Sequence, residues 1–162
     1  MELPAIRKRQ CRNGRNVLEF KVRAYYNRSH IDGLAVISTP EDVDTLIEAL
    51  ASGPEFENMA TLYSLQREFL PTGVPDHEFL IGANRERLLG IVSYIDDANY
   101  LSLGSPEARN EEIVEYYIDD NAREFPASAE IPIPIAREAV KEFLLSGGQR
   151  PTCVAWQKEP EI

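Results

Sequence analysis

His30, His77, Cys11 and Cys153 are the whole stock of imidazole and thiol groups in this 162-residue sequence. His30 lies in a turn near Asp32, and His77 opens a strand between Asp76 and Glu78, so neither has a cysteine or second histidine at metal-ligand spacing. Each reads as a hydrogen-bonded surface or edge histidine. A zinc-dependent nucleic-acid deaminase needs H-x-E to hold zinc and shuttle a proton, together with P-C-x-x-C. Here His77-Glu78 has no spacer, and Pro151-Thr152-Cys153 is followed by no second cysteine. The chain is therefore not expected to be such a deaminase itself. It also has no G-x-S-x-G turn, no glycine-rich phosphate loop and no cysteine beside a local base. Three adjacent carboxylate pairs remain: Asp96-Asp97, Glu111-Glu112 and Asp119-Asp120. Neighbouring side chains at a strand end diverge, which argues against acid/base work by any one pair. They read as turn and solubilising residues, or as residues that face a partner. No catalytic residue, metal ligand or cofactor is expected.

The charge balance limits the partners. Seventeen Lys and Arg against 27 Asp and Glu give a net charge of −10, which repels nucleic-acid phosphate and anionic lipid and attracts basic surfaces. Residues 1–16 run against this trend, with Arg7, Lys8, Arg9, Arg12 and Arg15 facing only Glu2. They read as a basic, poorly ordered arm, and residues 17–162 as one acidic domain able to bury a core without disulfide or metal. The widely separated cysteines read as reduced thiols of a cytoplasmic protein, and no apolar run approaches a membrane span. Neither direct nucleic-acid binding nor membrane binding is expected, and nothing in the sequence sets an oligomeric state.

The elements that must position these groups follow from periodicity. Leu18, Phe20, Val22 and Ala24 alternate with Val17, Glu19, Lys21 and Arg23 as a strand with one wet face, and a second short strand follows over 34–38. Thr39-Pro40-Glu41-Asp42 supplies a capping hydroxyl, a first-turn proline and two acids for a helix to about Ala51, buried through Val43, Leu46, Ile47 and Leu50. Residues 59–66 form a strand, and 67–76, with Pro71, Gly73 and Pro75, a loop. Residues 77–83 and 88–95 flank Asn84-Arg85-Glu86-Arg87 as a hairpin, with a possible short strand at Tyr100–Leu103. Glu112–Ile118 is a further strand, turned by Asp119-Asp120-Asn121. A helix over 134–146 carries Ile135, Ala136, Ala139, Val140, Phe143 and Leu144 as its apolar stripe and stops at Gly147-Gly148. A final strand spans 151–157, with Cys153 and Ala155 on one face and Thr152, Val154 and Trp156 on the other. Strands in runs with two helices predict an α+β fold, a mainly antiparallel sheet with both helices on one face. Trp156, Phe125, Phe143, Val140, Leu144, Leu46 and Ile47 are expected to share one core.

The C-terminal third also carries a resemblance. Glu124-Phe125-Pro126, then Glu130-Ile131-Pro132, the helix ending KEFLLSGG, and RPTCVAWQ resemble the signature of the first-numbered family of immunity proteins from bacterial polymorphic toxin systems. Weaker matches at Tyr25-Tyr26, Val36 to Glu41 and Glu115-Tyr116-Tyr117 extend the resemblance over about residues 20–157. The chain departs from the family pattern at Asp97-Ala98-Asn99-Tyr100, where members often carry a Gly- and Trp-containing loop. The resemblance implies a cognate toxin as partner, of the nucleic-acid deaminase superfamily, neutralised by occlusion of its active site. An acidic chain without catalytic motifs suits a basic substrate groove. A small hydrolase with an unrecognised site, or a ligand-binding regulatory domain, remains the alternative. The partner-facing residues are expected in the connection after the mid-sheet hairpin: Asp96, Asp97 and Tyr100, with Glu107, Glu111 and Glu112 close behind. Asp119, Asp120, Glu124 and Glu130 form a competing surface.

Overall fold

A computed structural model describes residues 20–31, 33–105 and 112–159. The expected basic arm, Cys11, Glu107 and Glu111 lie outside the described residues.

Among the described residues, ten strands and two α-helices follow in the order β1 (Val22–Tyr25), β2 (Ala35–Ile37), α1 (Pro40–Ser52), β3 (Met59–Ser64), β4 (Glu78–Asn84), β5 (Leu89–Ile95), β6 (Asn99–Ser102), β7 (Ile113–Ile118), β8 (Asn121–Pro126), β9 (Ile131–Pro132), α2 (Ile133–Leu145) and β10 (Trp156–Lys158). The main sheet runs β10-β6-β5-β4-β3-β1-β2, and β9 adds a short pairing to β5. Every pairing is antiparallel, and β7 and β8 form a separate hairpin. The fold is α+β.

Both helices pack on one face of the main sheet. Val43, Leu46, Ile47 and Leu50 of α1 and Ala136, Ala139, Val140, Phe143 and Leu144 of α2 meet Leu62, Phe79, Ile81, Val92 and Tyr94 of the strands. The start of α1 is a complete capping box: the Thr39 hydroxyl accepts from the Asp42 N–H at 3.0 Å, and Asp42 accepts from the Thr39 N–H at 3.1 Å. The end of α2 requires glycine. Gly147 and Gly148 have φ of 74° and 95°, and a Cβ on Gly148 would lie 2.6 Å from Cβ of Ser64.

The β7–β8 hairpin contributes to a second core, in which Tyr116 and Phe125 pack with Met59, Leu80, Ile91 and Leu101. Period-2 alternation divides the residues of β4 between the two clusters, Phe79 and Ile81 in one and Leu80 in the other. Central strands buried on both faces are the reason that residues 79–83 and 90–94 read as nearly continuous apolar runs.

Several expectations are corrected by this packing. Phe125 belongs to the second core, because it lies on the hairpin rather than beside α2. Ile135 is 40% exposed, since Ile133 takes the inward place on the first turn of α2. Residues 151–155 form no strand. The Glu142 carboxylate accepts the Thr152 and Cys153 N–H groups at 2.7 and 3.2 Å, so these donors turn toward α2 and leave no ladder to make. Pairing begins only at Trp156, and Cys153 is exposed. Trp156 is half-buried against the helix-side core, its indole N–H donating to the Pro151 carbonyl at 2.8 Å.

Candidate partner-binding surface

Asp96 and Asp97 lie in the turn from β5 to β6, which is tighter than the long connection expected. The Asp96 N–H donates to the Ala98 carbonyl at 3.1 Å, and the Asp96 carboxylate accepts the Asp97 N–H at 2.6 Å. Asp96 thus holds the turn while Asp97 projects from it, and both are exposed. Tyr100 follows on β6, opposite Tyr94 and Lys158 of the neighbouring strands. The Arg150 guanidinium lies 4.0 Å from the centre of the Tyr100 ring, a cation–π contact. Asp96, Asp97, Tyr100, Tyr94, Gln149 and Arg150 line an open cleft of about 210 Å³.

Of the remaining expected contacts among the described residues, Glu112 sits elsewhere, at the mouth of the β7–β8 hairpin, where its carbonyl accepts from the Ala127 N–H at 2.8 Å. The competing acidic surface is partly engaged internally. Asp119 is buried and accepts from the Tyr25 hydroxyl at 3.1 Å, while Glu130 pairs with Arg87 and accepts from the Tyr116 hydroxyl at 2.7 Å. Burial and that carboxylate together push the Tyr116 hydroxyl far above its usual titration range. Asp120 and Glu124 remain exposed.

A second cleft, about 350 Å³, shares Asp96 with the first. It is lined by Tyr63, Asp76, His77 and Glu78 together with Leu70 and Val74. His77 is buried rather than at the surface. Its Nε2 accepts the Ser64 N–H at 2.8 Å, which fixes the tautomer, so Nδ1–H donates to Asp76 at 2.9 Å. The arrangement resembles an Asp–His pair of a hydrolase, but the imidazole lone pair is already taken by a backbone donor and is not free as a general base. Burial holds His77 below its ordinary pKa. Tyr63, donating to Glu78 at 3.2 Å, is pushed up to about 12 by burial and the neighbouring carboxylate.

The surroundings of Cys153 disfavour its thiolate. Although the residue is exposed, partial desolvation of its thiol and the adjacent Glu142 carboxylate push it up to about 11, opposite to the shift that makes a thiolate at neutral pH. Among the described residues, no three His, Cys, Asp or Glu side chains converge as a metal site, and no helix is long and apolar enough to cross a membrane.

The sequence pattern passed over Arg150 and the loop 67–76. The signal was present in the loop: Phe69, Leu70 and Val74 are large apolar residues set among Pro71, Gly73 and Pro75, where a solvated loop would carry polar ones.

A family model described as Immunity protein Imm1 matches residues 32–158, and the chain belongs to that family. No curated protein matches it. Family membership assigns the chain the role of an immunity protein, a binder of a cognate toxin, which points to binding rather than catalysis.

Proposed function

We propose that this immunity protein neutralises a bacterial toxin that acts on nucleic acid, a deaminase of a polymorphic toxin system, by covering the toxin's substrate groove in the cytoplasm. A groove that binds phosphate is basic, and a net charge of −10 steers the chain toward it. The observation that carries the reading is the acidic corner. Asp97 projects freely from a turn that Asp96 pins, and Tyr100 stands beside them as an aromatic contact with a fixed ring. A side chain held in place before binding loses little entropy on binding.

The test is inhibition of the toxin domain encoded beside this chain's gene, assayed on single-stranded DNA and RNA. Stoichiometric loss of deamination, competitive with the nucleic acid, is the expected result. A toxin that binds nucleic acid unhindered in the complex, or a neighbour that is no deaminase, overturns the occlusion mechanism or the toxin class respectively.

A further inference from the structure

The loop from Arg67 to Asp76 displays three large apolar side chains with about half of their surface open to solvent. Phe69, Leu70 and Val74 are 54, 47 and 51% exposed within six positions. Isolated exposed apolar residues need no explanation, whereas three on one loop mark a contact surface.

The loop is also held in shape. Phe69 and Pro75 form an antiparallel bridge, the Leu70 N–H donates to the Val74 carbonyl, and the Gly73 N–H donates to the Leu70 carbonyl, both at 2.8 Å. Gly73 supplies the positive φ, 91°, that the turn requires. At the base, Arg67 pairs with Asp76 at 3.1 Å and donates to the Gly148 carbonyl at 3.2 Å, beyond the end of α2. Its guanidinium also contacts the Tyr94 hydroxyl, which donates to the same carbonyl at 2.9 Å. Asp76 in turn holds His77, and His77 the backbone of β3. The two ends of the loop are thereby fixed to the segment after α2 and to β3.

We propose that this clamped loop is the apolar half of the toxin-binding surface, with Phe69, Leu70 and Val74 entering an apolar recess beside the toxin's basic groove while Asp96 and Asp97 face the basic groove itself. The proposal rests on the toxin reading above and adds to it a second, non-electrostatic contact. Two features name that occupant rather than another. Leu70 and Val74 share a cleft with Asp96, so the loop continues the acidic corner. Asp76 is paired with Arg67, and the cleft's other charged residues, Glu78 and Asp96, are both acidic, which suits a basic partner and disfavours a second copy of this chain. An interface with an apolar centre and charged rim takes its affinity from the centre and its association rate from the rim.

The experiment compares wild type, Phe69→Ala, the triple variant Phe69→Ser/Leu70→Ser/Val74→Ser, and Asp97→Lys, using the adjacent-gene toxin domain with its catalytic residues inactivated. Binding kinetics, thermal melting and sedimentation are read together. The expected result is dissociation faster by at least about thirtyfold in the triple variant, with association rate and melting unchanged. Phe69→Ala should show the same sense of change, and Asp97→Lys the converse, slower association with dissociation nearly unchanged. Unchanged dissociation in the folded apolar variants overturns the loop proposal while leaving the toxin reading intact. A wild-type chain that does not bind the toxin overturns both. A wild-type dimer that the triple variant abolishes overturns the proposal by making a second copy the occupant.

Discussion

Arg67 and Asp76, nine positions apart, close a loop by a 3.1 Å ion pair whose other hydrogen bonds run in opposite directions through the fold. Arg67 reaches toward α2 through Gly148, and Asp76 reaches toward β3 through His77. Burial opposes ionisation of Asp76, and Arg67 and His77 more than offset it, so its carboxyl stays below the usual carboxylate range.

Replacing Arg67 with Met removes the charged partner of Asp76 and the donor to Gly148. Loss of a charge-assisted hydrogen bond of this kind should lower stability by about 1.5–3 kcal/mol. Urea denaturation measures the loss, and limited proteolysis should show new cleavage between residues 67 and 76. An unchanged proteolytic pattern would mean that the loop keeps its shape without the clamp.

Acid should weaken the same device. His77 must be neutral to accept the Ser64 N–H, and burial sets its folded pKa below the ordinary value of about 6.5. The unfolded chain therefore takes up the proton first, and this contribution to stability, complete above about pH 6.5, is lost as pH falls below it. His30, also lowered by burial and accepting from the Tyr26 N–H at 3.2 Å, acts in the same sense. Denaturation midpoints at about pH 7.5 and pH 5.5 in wild type and His30→Asn should fall with pH in both proteins. A flat profile in His30→Asn would exclude His77 as a source.

Charge reversal at Asp97 is the cleaner probe of the acidic corner. Asp97→Lys should leave melting unchanged while slowing toxin association and flattening its salt dependence. Asp96→Lys should add a stability loss of about 0.5–1.5 kcal/mol, because the turn loses the acceptor for the Asp97 N–H. Equal association rates for wild type and Asp97→Lys would remove this corner from the interface.

Gly82 should not tolerate a side chain. A Cβ there would lie 2.5 Å from the Tyr116 ring, which seats the β7–β8 hairpin on the sheet. Gly82→Ala should destabilise by about 1–3 kcal/mol through overpacking, and Tyr116→Ala by about 3–5 kcal/mol through the cavity left. A Gly82→Ala/Tyr116→Ala double variant less destabilised than the sum of the single changes would confirm the contact by equilibrium unfolding.

Trp156→Ala should cost less than a fully buried tryptophan would. Half-burial and one indole hydrogen bond to Pro151 give about 1–3 kcal/mol. Normal melting with lost toxin binding would instead make Trp156 a contact residue.

The helices and the central hairpin could be read from sequence because their signals are local: the capping box at Thr39, the stripe from Val43 to Leu50, and the glycine stop after α2. What escaped was decided by non-local packing. The assignment of Phe125 to a second core follows from where the β7–β8 hairpin packs, and its alternation fixes only which residues share a face. Residues 151–155 have strand-like composition, yet Glu142, ten positions before Thr152, captures their N–H groups. At the proposed partner surface, the acidic turn was visible as a carboxylate pair. The clamp was not, because Arg67, Asp76 and Gly148 are separated by as many as 81 positions.

The loop's closure depends on main-chain hydrogen bonds and on Arg67, Asp76 and His77, whereas its outward display depends on Phe69, Leu70 and Val74. These two sets of side chains do not overlap. Under the binding role proposed for the loop, exchanging the displayed residues would change what it recognises with little effect on folding, since exposed substitutions usually change stability by less than about 0.5 kcal/mol. Under that role, a change of specificity would be reachable by single steps that each leave a folded chain.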